Sequence, residues 1–169
     1  ILSYAGAEVT REYFINDSEE SNQIKELGKT AQGLGEQYKT EFTAELVKKE
    51  DFSGKSVEES GFSLAGKIQE HNKNFLKNKA GIHFDNWYSE DEKLRASGLS
   101  QKTLDELAGK GLVYKKDGAI WLKTSEYGDD EDRVLVRSDK SKTYFLSDIS
   151  YHADKWKRGF NKVIDVWGA

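Results

Sequence analysis

Apolar and polar positions along the chain switch between two periods, and the switches predict the elements. Residues 8–15 (EVTREYFI) are rich in β-branched and aromatic side chains and predict a strand. Asn16 and Asp17 then stop it and can cap the next helix. Between residues 18 and 46 the apolar positions Ile24, Leu27, Leu34, Tyr38, Phe42 and Leu46 fall at helical spacings, with a break near Gly33 and Gly35. Residues 51–55 read as a linker, and residues 56–77 as a second helical stretch with Phe62, Ala65, Ile68, Phe75 and Leu76 on its apolar side. Residues 82–88 alternate like a strand. Ser89 followed by Glu92 is a capping-box pattern that predicts a helix ending near Gly98. Residues 100–109 form another short helix with a Gly stop.

The clearest local signal is residues 111–122 (GLVYKKDGAIWL). Two apolar runs flank Asp117-Gly118, a pair that supplies the positive φ angles of a tight hairpin. Residues 132–137 then predict a buried strand, 143–146 a short strand or strand end, 147–158 a helix and 162–167 a final strand. Strand–helix–strand order at both ends predicts an α/β fold. A parallel sheet is interrupted by an insertion of helices and a hairpin, and no internal repeat is visible.

Composition narrows the function classes. The 169 residues are 36% hydrophobic and 33% charged, with no run approaching the ~18 apolar residues of a bilayer-spanning helix. There is no Cys, which excludes a disulfide framework, a thiolate metal site and a Cys nucleophile. The three His residues are far apart and lack zinc-binding spacing, so no metal site is expected. The net charge of −4 argues against nucleic acid as the main partner of this chain. Charge is uneven: residues 67–79 carry four Lys against one Glu, and residues 126–132 hold five acidic side chains. Each run reads first as a solvated face. The chain contains no Met, opens as the last turn of a helix at a Gly cap (Gly6), and closes on an apolar strand. It therefore reads as a piece of a longer protein.

Candidate chemistry gathers at Tyr144 and Asp148, four residues apart where a strand is expected to run into a helix. Open parallel sheets bind ligands at the carboxyl ends of their strands. An ionised Asp there can take two parallel hydrogen bonds from a guanidinium, and a phenol can stack on the cation. From spacing alone, helix-cap preferences favour the other reading, in which Ser147 and Asp148 cap the helix. His152 follows on the same face, where a structural role is the default. Asn16, Asp17 and Gln23 can line a cleft or serve as turn and cap residues. No glycine-rich phosphate loop is present.

The residues 127–151 (YGDDEDRVLVRSDKSKTYFLSDISY), continued by HADKW and later VIDVWGA, resemble the catalytic domain of bacterial arginyl-tRNA synthetases. So do the opening AEVTREYFIND with NQI and the hairpin GLVYKKDGAIWL. The three blocks occur in the family's order and cover about two-thirds of the chain. The resemblance implies a class I synthetase, with a partial Rossmann-type parallel sheet interrupted by a connective insertion. Residues 1–40 and 131–169 would be the two parts of the Rossmann-type domain, and residues 41–130 the insertion. It implies arginine, ATP (with Mg2+) and tRNA(Arg) as partners, a cytoplasmic location and no membrane.

By motif, Tyr144 and Asp148 match the family's arginine-recognising pair. Asn16, Asp17, Gln23 and His152 fall near the cleft, and Trp167 and Gly168 begin a loop that passes the adenosine. Ser147 replaces the family's Pro, and the segment between Asp17 and Asn22 is about two residues longer than usual. The H-x-G-H and K-M-S-K-type elements do not occur in these residues, so no catalytic residue is assigned and the isolated chain is expected to be inactive. Two other readings stand beside this one. The first is a tRNA- or protein-binding module built on the insertion, with the basic run 67–79 as its contact face. The second is a different class I synthetase. Edges of an incomplete sheet are the expected route to any oligomer.

Overall fold

The computed structural model describes residues 1–18 and 21–166. The chain divides into two compact units, Ile1–Asp91 and Glu92–Ala169. Each is described by itself.

The first unit opens with a single turn. Gly6, at φ +88°, donates to Ser3 O, and Ala7 donates to Leu2 O, the Schellman pattern that Gly6 predicts. Strand β1 (Glu12–Ile15) pairs in parallel with β2 (Asn86–Ser89), Tyr13 opposite Trp87 and Phe14 opposite Tyr88. Both strands are shorter than expected. Residues 8–11 and 82–85 run outside the ladder; Arg11 O accepts from the N–H groups of Asp85 and Asn86, and Arg11 N donates to Asp85 Oδ2 (2.7 Å).

Between the strands lie α1 (Asn22–Ala31), α2 (Glu41–Val47) and α3 (Val57–Asn78). Their starts follow local chemistry. Ser21 caps α1, a role the sequence also allowed to Asn16 or Asp17. Thr40 and Ser56 head capping boxes closed by Thr43 and Glu59. The core is the crossing of α1 on α3, where Ile24, Ala31, Leu64 and Ala65 are buried. Gly28 and Gly61 meet at that crossing. A Cβ on Gly28 would stand 1.8 Å from Val57 O, and one on Gly61 would stand 2.0 Å from Ile24 O. Gln32 locks the same seam by donating to Lys55 O (2.8 Å) and Ser60 Oγ (3.0 Å).

A short π-helix, Asp91–Ala96, leads into the second unit. It stands where the capping box at Ser89 predicts an α-helix. The difference has a cause: the Ser89 hydroxyl donates instead to Asp17 Oδ2 (2.7 Å), and the N–H of Asp91 donates to Asp17 Oδ1 (3.0 Å). A carboxylate from β1's end thus does the capping expected of Ser89.

In the second unit α4 (Leu99–Gly109) precedes the hairpin β3 (Val113–Lys116) and β4 (Ala119–Leu122). Asp117 (φ 50°) and Gly118 (φ 75°) form its two-residue turn, as the sequence predicts. Strand β5 (Arg133–Val136) adds antiparallel to β4, so this three-stranded sheet is antiparallel throughout. The fold is mixed α/β, with its parallel pairing confined to β1 and β2. Leu104, Leu135, Val136 and Leu146 make the core.

Helix α5 (Tyr144–Lys157) starts at residues whose composition predicts a strand end. Thr143 is the N-cap: its hydroxyl accepts from Leu146 N (3.3 Å) and lies within donating distance of Val134 O (2.9 Å) and Leu135 O (3.1 Å). Burial of Leu146, with Ile149 packed beside it, outweighs the strand preference of Tyr144 and Phe145. Thr143→Ala should lower stability by about 1 kcal/mol, read as a shift of the urea midpoint at unchanged slope. The expected final strand is also absent among the described residues: 162–166 have no ladder partner and stay irregular.

The acidic run 126–132 is a built loop rather than a uniformly solvated face. Arg133 grips Asp129 with two bonds of 2.7 Å, and this holds the Asp129 carboxyl down at about 2. Asp132 accepts from Tyr114 Oη (2.8 Å), Ser125 N (3.1 Å) and Ser125 Oγ (2.6 Å), bonds that lower its pKa and raise that of Tyr114. A folded-state pKa below the ordinary carboxylate value makes the Asp129 contribution complete above about pH 4. That contribution is lost as pH falls towards 2. Carboxyl NMR titration should place the Asp129 midpoint near the bottom of the range, and Arg133→Gln should return it towards the ordinary value.

Candidate functional site

The residues singled out by sequence fall in both units, and each unit brings some of them together. In the first unit, Asn16 Nδ2 donates to Gln23 Oε1 (3.3 Å). Asp17 is occupied: both its oxygens serve the Ser89–Asp91 turn. That makes Asp17 a structural tie between the end of β1 and the residues after β2. Beside Asn16 and Asp17 lies a cavity of about 330 Å³, lined also by Phe62, Gln69 and Lys73. Asn16 Oδ1 and Gln69 Oε1 are buried without a hydrogen-bond partner. Gln23 reaches the cavity's edge only through Asn16.

The basic run on α3 is partly spent within the fold. Lys67 pairs with Glu50 at 3.1 Å, and Lys73 lies 4.9 Å over the Trp87 ring, beside the Tyr13–Phe84–Trp87 aromatic cluster. This leaves less free charge for a polyanion than the sequence suggests.

In the second unit, Tyr144 is the first residue of α5 and Asp148 the fifth, one turn apart on one face. The capping reading of Ser147 and Asp148 is therefore overturned, because Thr143 holds that role and both residues lie inside the helix. Tyr144 is exposed, and the Asp148 carboxylate makes no hydrogen bond or ion pair with any described residue. Asp148 is open by surface area, yet enough protein surrounds it that burial raises its pKa, against the opposing charges of His152 and Lys155. An acceptor with both oxygens uncommitted, next to a phenol, is suited to a planar cationic donor.

His152 lies on the same face with Nδ1 3.9 Å from Asp165 Oδ2. Lys155, with only 9% of its side chain exposed, binds Asp165 Oδ1 at 2.9 Å. Sequence reasoning missed this pair. The helical spacing from Asp148 to Lys155 was readable, but a partner in an irregular segment was not. Trp167 and Gly168 lie outside the described residues. No group of three or more Asp, Glu or His that could hold a metal ion occurs among the described residues.

No family model matches the chain. Individual relatives do. An arginine–tRNA ligase of Desulforamulus reducens is 40% identical over 192 residues, taking in 100% of this chain and 33% of its own length. Arginine–tRNA ligase 1 of Halalkalibacterium halodurans is 41% identical, with 100% of this chain and 34% of its own length covered. A Campylobacter jejuni structure assigned to arginyl-tRNA synthetase superposes on 99% of this chain with a TM-score of 0.84 at 31% identity. Over its full length the chain is similar to one segment of arginyl-tRNA synthetases. It spans about a third of the length of the curated relatives it matches, so it corresponds to a segment of such a ligase. It covers 40% of the Campylobacter jejuni chain, and 30% of the Thermus thermophilus arginyl-tRNA synthetase, which it matches with a TM-score of 0.59 at 25% identity. The family agrees with the resemblance carried by residues 127–151 and by the opening block.

Proposed function

We propose that this chain is the interrupted core of an arginine–tRNA ligase and carries its arginine-recognising helix. In that reading residues 1–40 and 131–169 belong to the nucleotide-binding domain, and residues 41–130 are its connective insertion. The carrying observation is the uncommitted Asp148 carboxylate one helical turn from exposed Tyr144. Asp148 accepts the guanidinium of arginine through paired N–H···O bonds, and Tyr144 adds a polar or stacking contact. Lysine cannot reproduce that planar fork. Asn16 and Gln23, a hydrogen-bonded amide pair of the first unit, are proposed by motif as further substrate-side residues, and Trp167 and Gly168 are assigned to the nucleotide by motif alone.

The reaction needs positioning more than covalent help. The arginine carboxylate attacks the α-phosphate of ATP, forming arginyl-adenylate and expelling pyrophosphate. The terminal hydroxyl of tRNA(Arg) then takes the arginyl group and AMP leaves. The stabilisation of phosphate charge falls to parts of the ligase other than these residues, so the chain alone is inactive. The described residues do not fit a resident magnesium ion, and no step here runs through one. No described helix is long and apolar enough to cross a membrane, and the proposed location is the cytoplasm.

The test is ATP–pyrophosphate exchange by the full-length protein containing this segment. Exchange should require arginine and stay at background with lysine. Exchange driven by a different amino acid would point to another class I synthetase and overturn the reading.

A further inference from the structure

The face of α5 that carries Asp148 also carries an imidazole and an ammonium. His152 lies one turn beyond Asp148 and Lys155 two turns beyond. Lys155 is buried, and a buried ammonium must be paired. Its partners are Asp165 Oδ1 at 2.9 Å and the Tyr151 ring, whose centroid is 4.0 Å from Nζ. The other oxygen of Asp165 faces His152 Nδ1 at 3.9 Å. One carboxylate from the irregular segment 160–166 thus binds the Lys155 ammonium with one oxygen and faces the His152 imidazole with the other. The remaining cations of the helix end are engaged elsewhere: Lys157 on Glu106 at 2.7 Å and Arg158 on Asp154 at 2.8 Å.

We propose that Asp165 is a positioning residue for amino-acid recognition: it holds Lys155 and faces His152, and so leaves the Asp148 carboxylate to a cationic substrate tip. A guanidinium approaching Asp148 meets whatever positive charge remains on that face, and like charges there oppose binding. The charges of Lys155 and His152 already reach Asp148, since both act to lower its pKa. Neutralising Asp165 releases an ammonium on a flexible four-carbon stem. That ammonium then competes with arginine for the nearest uncommitted acceptor. The inference rests on the reading of Asp148 as the guanidinium acceptor.

The test uses the full-length ligase containing this segment, with Asp165→Asn, Lys155→Gln and the double variant, read by ATP–pyrophosphate exchange. Asp165→Asn should raise the arginine KM about tenfold, with kcat and the ATP KM within about twofold of wild type. The double variant removes the loose cation together with its partner and should return the arginine KM to near wild type. Lys155→Gln alone should not raise it. A structural role for Asp165 would leave the double variant as impaired as the single one, and that result overturns the proposal. So does an unchanged arginine KM in Asp165→Asn. If Asp165→Asn does not fold, the double variant decides: a near-normal arginine KM supports the proposal and a tenfold rise refutes it. Asp148→Asn, measured alongside, separates the two levels. If it leaves the arginine KM unchanged, the pocket reading itself fails. If it impairs arginine use while Asp165→Asn does not, only the role of Asp165 fails.

Discussion

Gly61→Ala will destabilise the Ile1–Asp91 unit by about 1–2 kcal/mol net, although the same exchange in an open helix position stabilises. Helix propensity alone favours Ala over Gly by about 0.5–1 kcal/mol. At Gly61 the new Cβ would lie 2.0 Å from Ile24 O, and at Gly28 it would lie 1.8 Å from Val57 O. Each obstacle is helix backbone, so relief requires α1 and α3 to separate by about an ångström. Separation also loosens Ile24 and Leu64, both buried to 2% exposure or less. Overpacking a tight core costs about 1–3 kcal/mol, sometimes more, which exceeds the propensity gain. Gly66 is the internal control: it lies on the same helix and its Cβ would meet nothing within 4 Å. Urea unfolding of the intact chain should show Gly28→Ala and Gly61→Ala with lower midpoints and Gly66→Ala with an equal or higher one. Equal behaviour of Gly61→Ala and Gly66→Ala would contradict the packing account.

Asp148→Asn in the full-length ligase is expected to lower kcat/KM for arginine by at least about 30-fold, a loss of about 2 kcal/mol or more, while the ATP KM changes little. The isosteric amide keeps one acceptor oxygen but turns an NH2 towards the guanidinium, so one bond becomes a clash of donors and the charge is gone. Tyr144→Phe should cost less, because a stacking contact survives loss of the hydroxyl. The pH dependence has a definite sign. In the proposed reading arginine needs the ionised carboxylate, and burial raises the Asp148 pKa. Recognition should therefore weaken on acidification at a pH above the ordinary aspartate midpoint of about 3.9.

What was readable in the sequence was local. The Asp117-Gly118 turn and the helical spacing over residues 56–77 are each specified by nearby residues, and both appear in the structure, the helix as Val57–Asn78. Long-range partners were not readable. Asp17 passed for a turn residue because the groups it binds, Ser89 and Asp91, are 72 and 74 positions away. Glycines at 28 and 61 carried no signal, since a close helix crossing joins two separate segments. Tyr144-Phe145 suggested a strand by propensity, and burial of Leu146 against Leu135 decided otherwise. Residues 162–166 have strand composition, but a strand exists only beside another one. The Tyr144–Asp148 pair was visible as an i, i+4 spacing. That Asp148 makes no hydrogen bond or ion pair with any described residue could only come from the structure.

The most direct test of the central claim is calorimetric titration of the full-length ligase and its Asp148→Asn variant with arginine and with citrulline, whose urea group replaces the guanidinium. The account predicts tight arginine binding and weak citrulline binding by the wild type, with most of that preference lost in Asp148→Asn. A variant that still prefers arginine over citrulline by the wild-type margin would show that another group reads the guanidinium.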